Sequence, residues 1–178
     1  MSPVIRTWIS FAALGAALIH LAVGVTAPFP LSVLLVGFGI AELGWGIATL
    51  AMGRITIPRI VVGAALIPVF IWGATAALGS GLGVTSAQTG LPLYPMAVAS
   101  LFNVFLAATV AIAVRRASNE VHPPAGTAAH AAATPSGWRF LTALTLGGVL
   151  FSGLTTPALA ATDAGQLAVP HGSSHGGH

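Results

Sequence analysis

From Arg6 to Arg54, and again from Arg59 to Arg115, the intervening chain carries no Asp, Glu, Lys or Arg except Glu42. Uncharged runs of that length cannot be laid out as the elements of a water-soluble domain, in which roughly a quarter of residues are charged; here only 5% are, and the mean hydropathy is +0.94. Such a chain belongs in a bilayer. There every backbone N–H and C=O must find a partner inside the protein, which an α-helix achieves within one segment.

A helix crossing the hydrocarbon needs roughly 20 mainly apolar residues, and five stretches qualify. The first runs from about Ile5 to Val25 and stops at Thr26-Ala27-Pro28-Phe29-Pro30, whose prolines favour a turn. The second covers about Leu31 to Met52, closed by Gly53-Arg54. The third runs from about Ile60 to Leu78, with a kink expected at Pro68, and a Gly/Ser/Thr-rich loop from Gly79 to Pro92 follows. The fourth covers about Leu93 to Val114 and stops at Arg115-Arg116. The fifth starts at Trp138, its far end weakened by Thr155-Thr156-Pro157. The expected fold is an all-α polytopic transmembrane bundle of about five spans. Residues 1–116 form a four-helix bundle of two antiparallel hairpins, 117–137 a flexible cytoplasmic linker, 138–161 a fifth transmembrane helix and 162–178 an exterior tail containing His.

Orientation follows from the six Arg; there is no Lys. Short cytoplasmic loops collect positive charge, and with the N-terminus inside every Arg (6, 54, 59, 115, 116 and 139) falls on the cytoplasmic side. The C-terminus is then outside, in a multi-pass protein of a bacterial plasma membrane. Trp8 and Trp138 fall near the inner boundary and Tyr94 near the outer one, as interfacial aromatics do. Scattered single and paired Arg serve as topology determinants and lipid anchors, and the clustered footprint that nucleic acid requires is missing. Arg139, the apolar run from Phe140 to Leu154 and Ala158-Leu159-Ala160 also reproduce a secretory signal with an A-x-A site, which would put a cleavage after Ala160. The competing reading is that small residues simply end a membrane helix.

Ionisable residues inside a bilayer are costly and by default mark function. The spans contain two, His20 and Glu42. If spans one and two form a hairpin, their depths differ by roughly 6 Å at 1.5 Å per residue, which side chains can bridge. His20 shares a helical face with Ala13, Ala16, Ala17, Val23 and Gly24, and Glu42 with Gly39, Trp45 and Gly46; small residues of this kind let membrane helices approach closely. Both polar groups are therefore expected to point into the bundle. Asn103, on a face with Met96, Ala99, Ser100 and Ala107, is the third candidate, and Trp72 lies at similar depth. The functional reading is an internal polar site, with Glu42 as proton carrier or cation ligand, His20 as its partner, Asn103 as hydrogen-bond donor and Met96 as a soft ligand. The structural reading is that these groups only join helices.

The tail offers His171, His175 and His178 separated by Gly and Ser, a flexible chelator suited to copper or zinc. His122 and His130 read as solvated linker residues. The chain has no Cys, which removes disulfides, thiol chemistry and Cys-based metal centres. A single intramembrane His excludes a bis-His haem within one chain. No nucleotide, hydrolase or zincin motif occurs, and three acidic residues in all leave little for acid–base catalysis, so a non-enzyme is expected.

The stretch His20-Leu21-Ala22-Val23, a Pro-containing turn and Ala41-Glu42-Leu43-Gly44-Trp45 resembles small four- to five-span membrane proteins of unknown role from high-GC Gram-positive bacteria. The resemblance covers roughly spans one to four. It implies a multi-pass fold in which the position of Glu42 is often Gln and that of Asn103 often acidic, and it supplies no activity. Three functions are weighed. The first is envelope metal handling, copper above all, in which the tail captures the ion and the internal polar site receives it. The second is an accessory subunit of a larger membrane complex or homo-oligomer, docked through Gly37, Ala41, Gly44 and Ala48. The third is a proton-coupled permeation unit using Glu42.

Overall fold

The computed structural model describes residues 1–83, 89–120 and 137–168. Its helices are α1 (Pro3–Gly24), α2 (Leu31–Met52), α3 (Pro58–Leu82), α4 (Leu93–Glu120), α5 (Gly137–Ala160) and the short α6 (Asp163–Gln166). Five of these are long and apolar enough to cross a membrane, and no strand occurs among the described residues.

Local chemistry sets most helix ends. Ser2 caps α1, its hydroxyl accepting from the Ile5 N–H, and Pro3 occupies the first turn, where its missing N–H has no partner to lose. Gly53 ends α2 at φ +63°, a left-handed conformation that costs glycine nothing. The next turn holds the one non-glycine residue described with positive φ, Ile57 at +45°. A β-branched side chain is strained there, and Pro58 immediately begins α3. The indole N–H of Trp45 donates to the Thr56 carbonyl at 3.1 Å, tying this turn to α2.

Two boundaries differ from expectation. Helix α3 runs through Pro68 and on to Leu82, so the first residues assigned to the Gly/Ser/Thr loop are helical. Helix α4 continues past Arg115-Arg116 to Glu120, taking in the start of the segment expected as linker; Ser118 bonds back to the Val114 carbonyl at 3.0 Å. Helix α5 covers its expected range, passing through Pro157 to Ala160 with Thr155 and Ala158 buried, so that packing outweighs the proline.

Helix α1 is the centre of the bundle. It packs against α2, α4 and α5, whereas α3 packs against α4. Its buried positions include Ile9, Ser10, Ala12, Ala13, Gly15, Ala16, Ala17, Ile19 and His20, which spread over more than half of the helix circumference at 100° per residue and leave the side of Leu14 and Leu18 less enclosed. Small residues make contact with three helices feasible, since membrane helices associate through close van der Waals contact rather than hydrophobic exclusion. At Gly15 a Cβ would lie 2.6 Å from Phe102 and 2.8 Å from the Thr155 hydroxyl, so this position fixes the approach of α4 and α5 together.

Phe151 of α5 wedges against α1 and α4, with ring centroids 5.3 Å from Phe102, 5.9 Å from Phe105 and 6.3 Å from both Trp8 and Phe11. Two turns away along α5, the Trp8 indole N–H donates to the Ala143 carbonyl at 2.9 Å. A Cβ on Gly147 would come within 2.6 Å of that indole nitrogen, while one on Gly148 would meet nothing within 4 Å. Gly147→Val is therefore expected to lower stability by about 1–3 kcal/mol, the usual cost of overpacking, read as a fall in the thermal midpoint in detergent. Gly148→Val should leave that midpoint unchanged; equal effects would mean that α5 is not seated as described.

Candidate functional site

Glu42 sits in the middle of α2 and receives a polar contact from each of two other helices. From α1, His20 places Nδ1 2.7 Å from Glu42 Oε2. From α4, Asn103 Nδ2 donates to Glu42 Oε1 at 2.9 Å. The antiparallel hairpin of α1 and α2 brings the first pair to one level. His20 lies one turn from the end of α1, and the Glu42 face passes α1 across Gly39 and Gly46. A Cβ on Gly39 would lie 2.7 Å from Leu21 Cγ and 3.1 Å from the Ala17 carbonyl, so glycine lets the backbones close to the distance at which imidazole and carboxyl meet.

The three groups are not equally enclosed. His20 is 1% exposed and Asn103 0%, whereas the Glu42 side chain is 11% exposed. Glu42 is thus the member that faces open space. That space is a cavity of about 200 Å³ lined by Phe38, Ala41, Glu42 and Trp45 of α2, Ile60, Val61, Ala64 and Ala65 of α3, Asn103 and Leu106 of α4, Ala13 of α1, and Ile57. It exists because α2 rests on α1 and α3 rests on α4, while the two consecutive helices α2 and α3 make no extensive contact with each other. Glu42 therefore holds α2 to α4 across a gap that apolar packing leaves open.

Two features give the site chemical character. The His20–Glu42 contact, the ion pair found among the described residues, has the length of a charge-assisted hydrogen bond, and a proton between the two atoms can reside on either. The Asn103 amide spends its NH2 on Glu42, but its Oδ1 is buried without a partner. An unsatisfied buried acceptor costs about 1–3 kcal/mol, and this one belongs to a residue that lines the cavity.

The expected residues are distributed as follows. His20, Glu42 and Asn103 converge. Met96 does not join them: it lies two turns along α4 from Asn103, roughly 10 Å, buried with Ala16, Ile19, Val23 and Leu35 in an apolar cluster against which Trp72 also packs. His122, His130, His171, His175 and His178 lie outside the described residues. Among the described residues no group of three His, Asp or Glu side chains is placed to hold a metal ion. Sequence reasoning missed the α3 wall of Ile60, Val61, Ala64 and Ala65, since two consecutive helices give no sign in sequence that they stand apart. It also missed Thr49, buried on α2 with an unpartnered hydroxyl. The recurrence of Ala41, Glu42 and Trp45 along one side of α2 was the available signal for the cavity.

The contact between His20 and Glu42 can be weighed directly. A double-mutant cycle with His20→Ala and Glu42→Ala, read by unfolding in detergent, should return a favourable coupling of about 1 kcal/mol, the scale of polar contacts between membrane helices. Coupling near zero would mean that the two side chains do not interact in the folded protein.

No protein-family model matches this chain, and neither the curated proteins nor the solved structures provide a match. The functional reading of this helical, membrane-spanning protein accordingly rests on the geometry around Glu42.

Proposed function

We propose that this multi-pass membrane protein binds a cation at Glu42, the proton being the smallest, and passes it between the α2/α3 cavity and the His20 side of the bundle. The observation that carries this reading is the placement of one intramembrane carboxyl between a histidine 2.7 Å away and an open cavity. A carboxyl needed only to join helices gains nothing from a cavity. A carboxyl that exchanges its cation needs one approach for the ion and a second group that stabilises the alternative state, and His20 is placed to do that. Intramembrane acid–histidine chains serve as proton relays on this principle.

A second reading is favoured by a separate observation. Gly37, Ala41 and Gly44 are exposed on α2, and a Cβ at Gly37 or Gly44 would meet nothing within 4 Å, the surface expected of a subunit that docks against a partner helix. Purification in mild detergent as a lone monomer would count against it. Metal handling rests on the tail sequence. Calorimetric titration with Cu(II) and Zn(II), beside a chain truncated after Val169, should show stoichiometric binding lost on truncation if His171, His175 and His178 capture the ion; unchanged binding would remove the tail's role.

The leading reading is tested in liposomes loaded with a pH-sensitive dye. A pH step across the membrane should produce a proton flux with the wild-type protein, and Glu42→Gln, which keeps the side-chain shape and can still accept from Asn103, should reduce the flux to that of protein-free vesicles. Equal flux from folded wild type and variant would overturn the proposal.

A further inference from the structure

We propose that the α2/α3 cavity is a binding site for a lipophilic ammonium, a protonated amine carried on a small apolar or aromatic body. This deepens the reading of Glu42 as a cation site and rests on it.

The argument starts from the balance of donors and acceptors. When His20 Nδ1–H donates to Oε2 and Asn103 Nδ2–H donates to Oε1, Glu42 is a carboxylate with two of about four acceptor positions filled. Asn103 Oδ1 adds a further acceptor, buried and unpartnered. With His20 as the neutral Nδ1–H tautomer, the polar end of the cavity is thus in surplus of acceptors and carries a negative charge. A primary ammonium supplies three donors, no acceptor and one positive charge. An alcohol supplies one donor and brings an acceptor of its own, and an anion is repelled. The match in charge and in donor count selects the ammonium.

The remainder of the wall selects the body. Apart from Glu42 and Asn103 the lining is Ala, Ile, Val, Leu, Phe and Trp, with Trp45 and Phe38 contributing aromatic rings, a residue type that attracts a cation as well as an apolar group. The Trp45 N–H is already committed to the Thr56 carbonyl, which steadies the indole. A dry apolar cavity of about 150 Å³ accommodates benzene, so about 200 Å³ holds a ring with a short amine arm. Entry is lateral, because α2 and α3 do not close against each other and Ile57 and Ile60 at the cavity wall are exposed. A molecule already dissolved in the bilayer reaches the carboxylate without crossing water.

The test uses the full chain in zwitterionic nanodiscs, with 2-phenylethylamine as probe and 2-phenylethanol and the N,N,N-trimethyl analogue as comparators. One amine should bind per chain; the alcohol, lacking the charge, and the trimethyl analogue, lacking N–H donors for Asn103 Oδ1, should each bind about tenfold more weakly or worse. Glu42→Gln should lose the amine. Ala64→Phe, which fills the cavity from α3 and leaves His20, Glu42 and Asn103 untouched, should also lose it while remaining folded. Equal binding of amine and alcohol, or unchanged amine binding by Ala64→Phe, would overturn the assignment. The liposome flux separates the two ideas. Glu42-dependent flux without amine binding would retain the cation site and discard the ammonium. Amine binding that requires Glu42, without flux, would retain the ammonium site and discard passage.

Discussion

The close approach of α1 to α2 at Gly39 and Gly46 is the contact on which the rest depends. Without it the His20 imidazole would not reach the carboxyl on α2, and Glu42 would face lipid at a cost that membrane proteins rarely bear. The residues that permit it are small. Ala13 and Ala17 on α1 meet Gly46 and Gly39 on α2; a side chain larger than hydrogen would clash at Gly39, 2.7 Å from Leu21 Cγ, and would be tightly packed at Gly46, 3.3 Å from Leu14. The polar pair and the glycines are therefore one device: the glycines bring the backbones together, and the pair fixes the register in which they stay.

Because α1 is held by three helices, the arrangement has little freedom left on that side. Helix α5 is held by Phe151 and by the Trp8 bond to Ala143, and α4 by Phe102 against Gly15. Helices α2 and α3 are each supported mainly on one flank and leave the cavity between them. In this protein the well-packed half and the open half meet at Glu42, whose two oxygens bond to α1 on one side and α4 on the other. Mechanical rigidity and chemical access are thus divided between opposite flanks of one residue.

Much of this was legible in the sequence, for reasons that can be stated residue by residue. The five spans follow from uncharged runs long enough to cross hydrocarbon, and a signal of that length survives local exceptions such as Pro68 or Pro157. The inward faces of His20, Glu42 and Asn103 follow from helical spacing of Ala and Gly around them, and those neighbours are buried. Met96 shares the face of Asn103 as the spacing requires but not its level, since a helical face specifies direction and leaves depth open. The α3 wall was illegible: periodicity says which side of a helix is apolar, and in a nearly all-apolar helix there is no side to read. Helix ends were misjudged where composition was weak, at Gly79–Leu82 and after Arg116, because Gly, Ser and Arg neither forbid nor demand a helix there.

The unpartnered Oδ1 of Asn103 completes the physical account. A buried amide is usually satisfied at both ends, and here one end is satisfied by the residue that makes the site charged. Replacing Asn103 by an apolar residue of similar size would remove the orphan acceptor but also take a hydrogen bond from Glu42 on its cavity side. Replacing it by a carboxylate would set two acids against each other. Asparagine is the residue type that stabilises a carboxylate with its NH2 while presenting a second acceptor alongside. Bonding across helices accounts for its NH2; the second acceptor, left unpartnered at the level of Glu42, is the part that helix association leaves unused and that a donor-rich cation would use.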